Sequence, residues 1–259
     1  MYEEERKAAI VEYVQKNLRA SIDELAMKYS VSKSTIRRDL MELENNKLIK
    51  RTHGGAISME VVSFEPTFTE KESRYAQEKE LIAQKAVEFI QDGDTIIMDA
   101  GTTTFLMSKH LKSFSDLTVV TNSIMIAQEL LNCSKIEVIV VGGSLRKSTQ
   151  ALVGPLTDEA LEKIHVDTCF IATNGLDIRE GLTTPNITEA TTKRRMMDSA
   201  KSIVLLADHT KIGKVSFAKF GNISEIDQFI VDDKIPEDVL NSLVNMNVRV
   251  CVATTESEE

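Results

Sequence analysis

Several features are missing from this sequence, and each absence narrows the reading. The apolar runs, such as 136–141, fall far short of the ~20 residues that a membrane-spanning helix needs. The N-terminal stretch MYEEERK is charged where a secretory leader carries an apolar core, so a cytoplasmic protein with no membrane partner is expected. Cysteine is scarce. Cys133, Cys169 and Cys251 lie far apart, each in or beside an apolar stretch, and no pair has metal-ligand or redox spacing. They read as small buried hydrophobes. His53, His110, His165 and His209 are equally scattered and suggest no metal site. There are no internal repeats, and only the TTESEE tail is compositionally biased; it is expected to fray.

What is present is an ordinary globular composition. The chain has 259 residues, 42% hydrophobic and 27% charged, enough for one large domain or for a small and a medium one. The net charge of -9 speaks, for the chain as a whole, against a nucleic-acid partner. The charge is unevenly distributed, however. Residues 1–60 carry 11 basic and 10 acidic side chains, so the acidity belongs to the remainder. Within 31–55, Lys33, Arg37, Arg38, Lys47, Lys50 and Arg51 face only Asp39, Glu42 and Glu44. A basic patch of this kind is either a solvated helix face or a binding surface.

The patterning predicts two domains and a joint. In residues 1–60, Ile10, Val14 and Leu18 repeat at helical spacing. Ser21 with Glu24 forms an S-x-x-E capping pattern ahead of a second helix. Ser32 can cap a third, over about 33–45, with Ile36, Leu40 and Leu43 facing inward. LIKRTHGGAIS then reads as a hairpin around Gly54 and Gly55. Residues 61–76 lack a sustained period and contain Pro66, which predicts a linker. From residue 77 to 259, apolar strand candidates at 95–100, 117–122, 136–143, 167–174, 202–208, 228–233 and 247–253 alternate with helical stretches. Strands apolar on both faces and separated by helices predict a mainly parallel, Rossmann-like α/β sheet covered on both sides.

Two short helices, a tight turn and a hairpin fit a winged helix-turn-helix. In that geometry the second helix of the pair enters the major groove by its N-terminal side chains. Those are Ser32, Lys33, Ser34, Thr35, Arg37 and Arg38: hydroxyls for bases or phosphates, and arginine forks for guanine or phosphate. Arg51 and His53 on the hairpin are candidates for backbone or minor-groove contact. A small helical protein-interaction domain would share the core pattern without needing these polar and basic residues at one helix start. Arg6, Ile10 and Val14, then Ser32, Thr35, Ile36, Arg37, Arg38, Asp39 and Leu40, resemble the helix-turn-helix signature of the DeoR family of transcription regulators, and RTHGGA at 51–56 resembles its wing. The resemblance implies that residues 31–40 read an operator. Asp39 is expected to orient an arginine or cap backbone groups, since a carboxylate near phosphate is unfavourable.

The strand candidates of the second domain end alike, in GTTT, TNS, GGS, TNG and DHTK. Ligands of open parallel sheets lie beyond the carboxyl ends of the strands. Gly101 admits a close backbone approach. Thr102, Thr103 and Thr104 supply hydroxyls and amides at a helix start that favours an anion. Lys211, Lys193, Arg194 and Arg195 add positive charge. A small phosphorylated ligand is the natural reading, against the plainer one that glycines and threonines merely end strands and cap helices.

DAGTTT, VTNS, GG-x-LR, D-x-x-FIATNG, GLTTPN and D-x-x-K-x-G also resemble the effector domain of the same family, so the likeness covers nearly the whole chain. It implies a fold similar to ribose-phosphate isomerases and a sugar-phosphate effector, with no further cofactor. By the same resemblance Asp99, Gly101, Thr102, Thr103 and Thr104 form the phosphate side, Thr121, Asn122 and Gly143 the sugar side, and Lys193 and Lys211 the cations. Ile212 stands where the family commonly has an aromatic residue, and Arg195 makes its helix more basic than usual; both bear on ligand identity.

The rival reading is a sugar-phosphate isomerase carrying a DNA-binding domain. Asp99, Asp177, Glu180, Glu189 and Asp208 are its candidate bases, with Lys211 as the cation. With a DNA reader attached, sensing without turnover needs fewer assumptions. The expectation is therefore a non-enzymatic repressor of a carbohydrate-utilisation operon. It would act as a homo-oligomer, dimer or tetramer, on a double-stranded operator and be relieved by a phosphorylated sugar.

Overall fold

The computed structural model describes residues 2–17, 19–46, 48–52, 54–58 and 65–254. The chain divides into two compact units, Met1–Phe64 and Glu65–Glu259.

In the first unit, α1 (Glu3–Asn17) buries Ile10 and Val14 one turn apart; Leu18, the third expected core residue, lies outside the described residues. The extended Arg19–Ser21 (β1) leads into α2 (Ile22–Tyr29) through a reciprocal cap. The Ser21 hydroxyl accepts the Glu24 amide at 3.1 Å, and the Glu24 carboxylate accepts the Ser21 amide at 3.2 Å. Ser30 then turns the chain with φ 53°, a left-handed conformation unusual for a residue with a side chain. The Ser32 hydroxyl starts α3 (Lys33–Asn45) by accepting the Thr35 amide at 3.1 Å. Ile36, Leu40 and Leu43 face a core shared with Ile10, Val14 and Leu25. The expected hairpin is present as β2 (Lys50–Thr52) and β3 (Gly55–Ile57), but β1 joins it, giving an antiparallel sheet of order β1-β3-β2. A Cβ on Gly55 would sit 2.0 Å from the Ala20 carbonyl, so only glycine lets β1 pair there.

The second unit contains α4 (Phe68–Glu72), α5 (Ala76–Val87), β4 (Thr95–Met98), α6 (Thr102–Lys109), β5 (Leu117–Thr121), α7 (Ile124–Leu130) and β6 (Ile136–Val140). There follow β7 (Ser144–Arg146), β8 (Ala151–Val153), α8 (Pro155–Leu161), β9 (Val166–Ala172), β10 (Gly175–Asp177), β11 (Gly181–Thr184) and α9 (Ile187–Asp198). The unit ends with β12 (Ala200–Leu206), β13 (Ala218–Gly221), β14 (Gln228–Asp232), α10 (Glu237–Asn245) and β15 (Arg249–Ala253). The seven strands anticipated from apolar runs form one parallel sheet, in the order β15-β14-β12-β9-β4-β5-β6. Alternation along its central strands feeds two cores. Ile96, Met98 and Phe170 pack with α5, α6 and α7, while Ile97, Cys169 and Ile171 pack with α8, α9 and α10. Cys169 is buried as expected, and Cys133 and Cys251 are half-buried.

Three parts differ from the sequence expectation. The hairpin β7-β8 and the antiparallel sheet β10-β11-β13 were not anticipated; strands of three or four residues are too short to show a period. From Glu65 onward, the stretch expected as a linker is part of the second unit. Phe68 is buried against Phe105, with ring centroids 5.6 Å apart, and its amide donates to the Ser148 carbonyl at 2.7 Å. A reciprocal cap between Thr67 and Glu70 starts α4.

Candidate functional site

In the first unit, a buried ion pair fixes the recognition helix. Asp39 is fully buried and accepts from Arg6 Nε at 2.6 Å and Nη2 at 3.1 Å, tying α3 to α1. Asp39 thus orients an arginine, as expected of it. The opposite face of α3 is exposed and carries Lys33, Ser34, Arg37 and Arg38. Arg37 and Arg38 have no ion pair among the described residues, whereas Lys33 meets Asp23 at 2.9 Å. Ser32 and Thr35 are engaged in the cap, 2.8 Å apart through their hydroxyls. Arg51 is exposed on β2, its amide held by Glu44 at 2.9 Å. His53 lies outside the described residues. The free cations therefore sit at the start of α3, the end a helix-turn-helix presents to base edges.

In the second unit, the sheet order locates a crevice. From β4 the chain runs through β5 to β6 on one side, and from β9 through β12 and β14 to β15 on the other. The order reverses between β4 and β9, the place where open α/β sheets take ligands. Asp99 ends β4 there, buried, and Lys193 from α9 bonds both its carboxylate and, at 2.9 Å, the Ala172 carbonyl that ends β9. The Thr104 hydroxyl donates toward Asp99 and accepts the Gly101 amide at 3.0 Å, locking the loop. A Cβ on Gly101 would meet the Ala172 methyl at 2.7 Å, so β4 and β9 close up only around a glycine. The first amides of α6 have no helical partner. Thr102 and Thr103, which start that helix, make no side-chain hydrogen bond among the described residues. Asn122, at the end of β5, donates to the Leu152 carbonyl at 2.9 Å, while its buried Oδ1 has no partner.

Other expected site residues are placed differently. Thr121 is fully buried; its hydroxyl donates to the Met98 carbonyl at 2.8 Å and accepts the Ser123 amide at 3.0 Å. It orders the end of β5, with its hydroxyl proton given to β4. Gly143 has φ 140°, and a Cβ on it would meet the Thr157 hydroxyl at 2.0 Å, so it serves the packing of the loop after β6 onto α8. Lys211 lies beside Asp208 at 3.4 Å, at the end of β12, separated from β4 by β9. It belongs to a second group of charges with Lys79 of α5. The Lys79 amine donates to the Lys71 carbonyl and, at 2.8 Å, to the Arg74 carbonyl. Burial, reinforced by Lys211, pushes this amine down to about 8. Burial raises the Asp208 carboxyl, but Lys211, the Thr210 hydroxyl and Lys79 outweigh it and hold the group below the ordinary range.

A third group of charges was not expected. Arg146 bridges Glu65 and Glu189, reaching the latter through Nε at 3.0 Å, and Lys71 meets Glu65 at 3.1 Å. Burial pushes the Lys71 amine down, against the pull of Glu65 and Glu189. The signal was available: Thr67-x-x-Glu70 is a capping pattern inside the supposed linker, and Arg146 closes GG-x-LR. Among the described residues no group of His, Cys, Asp or Glu could hold a metal ion. No helix among them is long and apolar enough to cross a membrane.

A winged helix-turn-helix joined in one chain to a parallel α/β unit with a polar crevice that holds Lys193 defines a DNA-binding regulator with a sensor unit. Residues 6–62 match the DeoR-like helix-turn-helix domain, and residues 74–233 match the DeoR C terminal sensor domain. The chain belongs to the DeoR family of transcription regulators. It is 41% identical to the HTH-type transcriptional regulator GlpR of Haloferax volcanii, over 95% of this chain and 96% of that one. It is 35% identical to the HTH-type transcriptional repressor GlcR of Bacillus subtilis, over 100% and 99%. Among solved structures, a D-ribose-5-phosphate isomerase in complex with phospho-erythronic acid aligns with 53% of this chain and 54% of its own, at 18% identity and a TM-score of 0.40.

Proposed function

We propose that the chain is a cytoplasmic repressor of carbohydrate-utilisation genes, released from its operator by a phosphorylated sugar that binds the crevice between β4 and β9. The reading rests chiefly on one observation. At the point of strand reversal stand Lys193, the first amides of α6 and the hydroxyls of Thr102 and Thr103, which make no hydrogen bond among the described residues, and one strand further, at the end of β5, the unpartnered Asn122 Oδ1. This is a seat for an anion with a hydroxylated body. The repressor name carried by the Bacillus subtilis relative supports the sign of regulation. Lys33, Ser34, Arg37 and Arg38 contact the operator, and Arg51 its backbone. A homo-oligomer pairs two recognition helices on two half-sites.

The same geometry disfavours two of the five candidate bases of the isomerase alternative. The Asp99 carboxylate is held by Lys193 and Thr104, and that of Glu189 by Arg146 and Thr149. A general base must reach substrate with a free lone pair. Incubation with ribose, fructose and hexosamine phosphates should return them unchanged; steady conversion of any one would sink the sensor reading. The direct test of binding is a thermal-shift screen against these phosphates. A ligand of the native state alone, at 100 times its Kd, stabilises by about 2.7 kcal/mol. No shift with any of them would remove the sugar-phosphate assignment and leave DNA binding standing.

A further inference from the structure

Glu65 is the first residue of the sensor unit, and the residue before it belongs to the DNA-binding unit. Its side chain is only 7% exposed, although it lies outside any helix or strand. It is held by Lys71 Nζ at 3.1 Å and by Arg146 Nη2. Arg146 continues through Nε to Glu189, one helical turn before Lys193, which closes on Asp99 at the strand-reversal point. Two sets of ion pairs, Glu65–Arg146–Glu189 and Lys193–Asp99, joined by one turn of α9, therefore lead from the first residue of the sensor to the crevice.

The three carboxylates of this series differ in how they are held. Asp99 ends β4 and also accepts the Thr104 hydroxyl at 2.9 Å. Glu189 sits in the first turn of α9 and also accepts from Thr149. Among the described residues, Glu65 is held by the two cations alone. It is thus the carboxylate that another anion can replace with least disturbance to the fold. A phosphate dianion carries more charge and one more acceptor oxygen than a carboxylate, and arginine takes it with a matching fork. Burial of Lys71, with Lys193 close enough to add to the effect, means that this amine needs an anion beside it whichever anion that is.

We propose that Glu65 is an internal stand-in for a phosphate seated on the Lys193 side of the crevice: it holds Arg146 and Lys71 when no other anion does, and yields them to that phosphate. Its release frees the start of the sensor unit, the stretch joined in sequence to the DNA-binding unit. The proposal rests on the anion-binding reading above and adds to it the route by which binding is felt at the joint. The stretch carries its own reporter, the Phe68 amide, which donates to Ser148 O at 2.7 Å.

The test uses the full chain with inorganic phosphate, against chloride at equal ionic strength. Affinity is read by thermal shift, and amide exchange is read over residues 65–72. In the unaltered protein, phosphate should speed exchange at the Phe68 amide. Glu65→Gln should exchange fast without phosphate and bind phosphate about tenfold more tightly, the size of an ordinary coupling between sites. Glu65→Asp, which keeps the charge, should restore slow exchange that phosphate again speeds; continued fast exchange in this variant would count against the ionic origin. Circular dichroism confirms that each variant is folded. Equal phosphate affinity in the unaltered and Gln proteins would overturn the stand-in role while leaving the anion site in place. Phosphate that slows or does not alter exchange at Phe68 would overturn it too. Absence of phosphate binding in both proteins would remove the anion site and this proposal together.

Discussion

Asp39 shows how much a single side chain can decide. It lies in the middle of an otherwise basic recognition sequence, and its burial against Arg6 turns an apparent electrostatic fault into the bolt between α1 and α3. Asp39→Ala leaves Arg6 without its partner and should cost about 3 kcal/mol. Calorimetry should show the first unit melting earlier and the sensor unit unchanged. Arg37, exposed and without an ion pair among the described residues, is the opposite case. Arg37→Ala should weaken operator binding by about 1–3 kcal/mol and leave effector affinity intact; equal losses of both would contradict the division of labour. In the crevice, Thr103→Glu places a carboxylate where the anion is to sit and should give a repressor that stays on its operator when effector is added. Lys79 gives a dependence on pH. Its amine titrates near 8, below the ordinary lysine value, so the folded state loses this cation as pH rises through 8. The unfolded chain keeps the proton longer, so this group's cost is relieved as pH rises from 8 toward 10.5, read as a rising unfolding midpoint of the sensor unit over that interval.

Elements were legible in proportion to how strongly burial marks them. The central strands of the parallel sheet are covered on both faces, and the edge strand β6 is apolar although Ile139 and Val140 are exposed, so each of the seven is an apolar run that the eye finds in the sequence. The caps at Ser21 and Ser32 were legible because the chemistry of a helix start is local. Ser32→Ala should cost about 1 kcal/mol, measured as a lowered midpoint of the first unit. The short strands β1, β7, β8, β10, β11 and β13 left no period, and they pair through backbone groups that the sequence does not display. The same reason limited the reading of the site. Gly101, Thr104 and Lys193 follow from motifs, whereas the union of Glu65, Lys71 and Arg146 depends on β7-β8 bringing Ser148 to Phe68. Thr121 looked like a ligand residue because its strand ends at the crevice, but its hydroxyl closes on the neighbouring β4 instead.

For the whole molecule, the net charge of -9 describes neither half of its chemistry. The acidic bulk belongs to the sensor, where a few buried cations are matched to carboxylates, and the small basic surface of α3 is left to meet DNA. On the proposed function the two are linked: an anion at the strand-reversal crevice lowers affinity at α3. The most direct measurement is anisotropy of labelled operator DNA, selected in vitro with the full chain, titrated with the protein in the presence of individual sugar phosphates. At least one phosphorylated sugar should weaken operator binding by about 5–150-fold, with Thr103→Glu unresponsive. Tight operator binding that no phosphorylated sugar alters would contradict it.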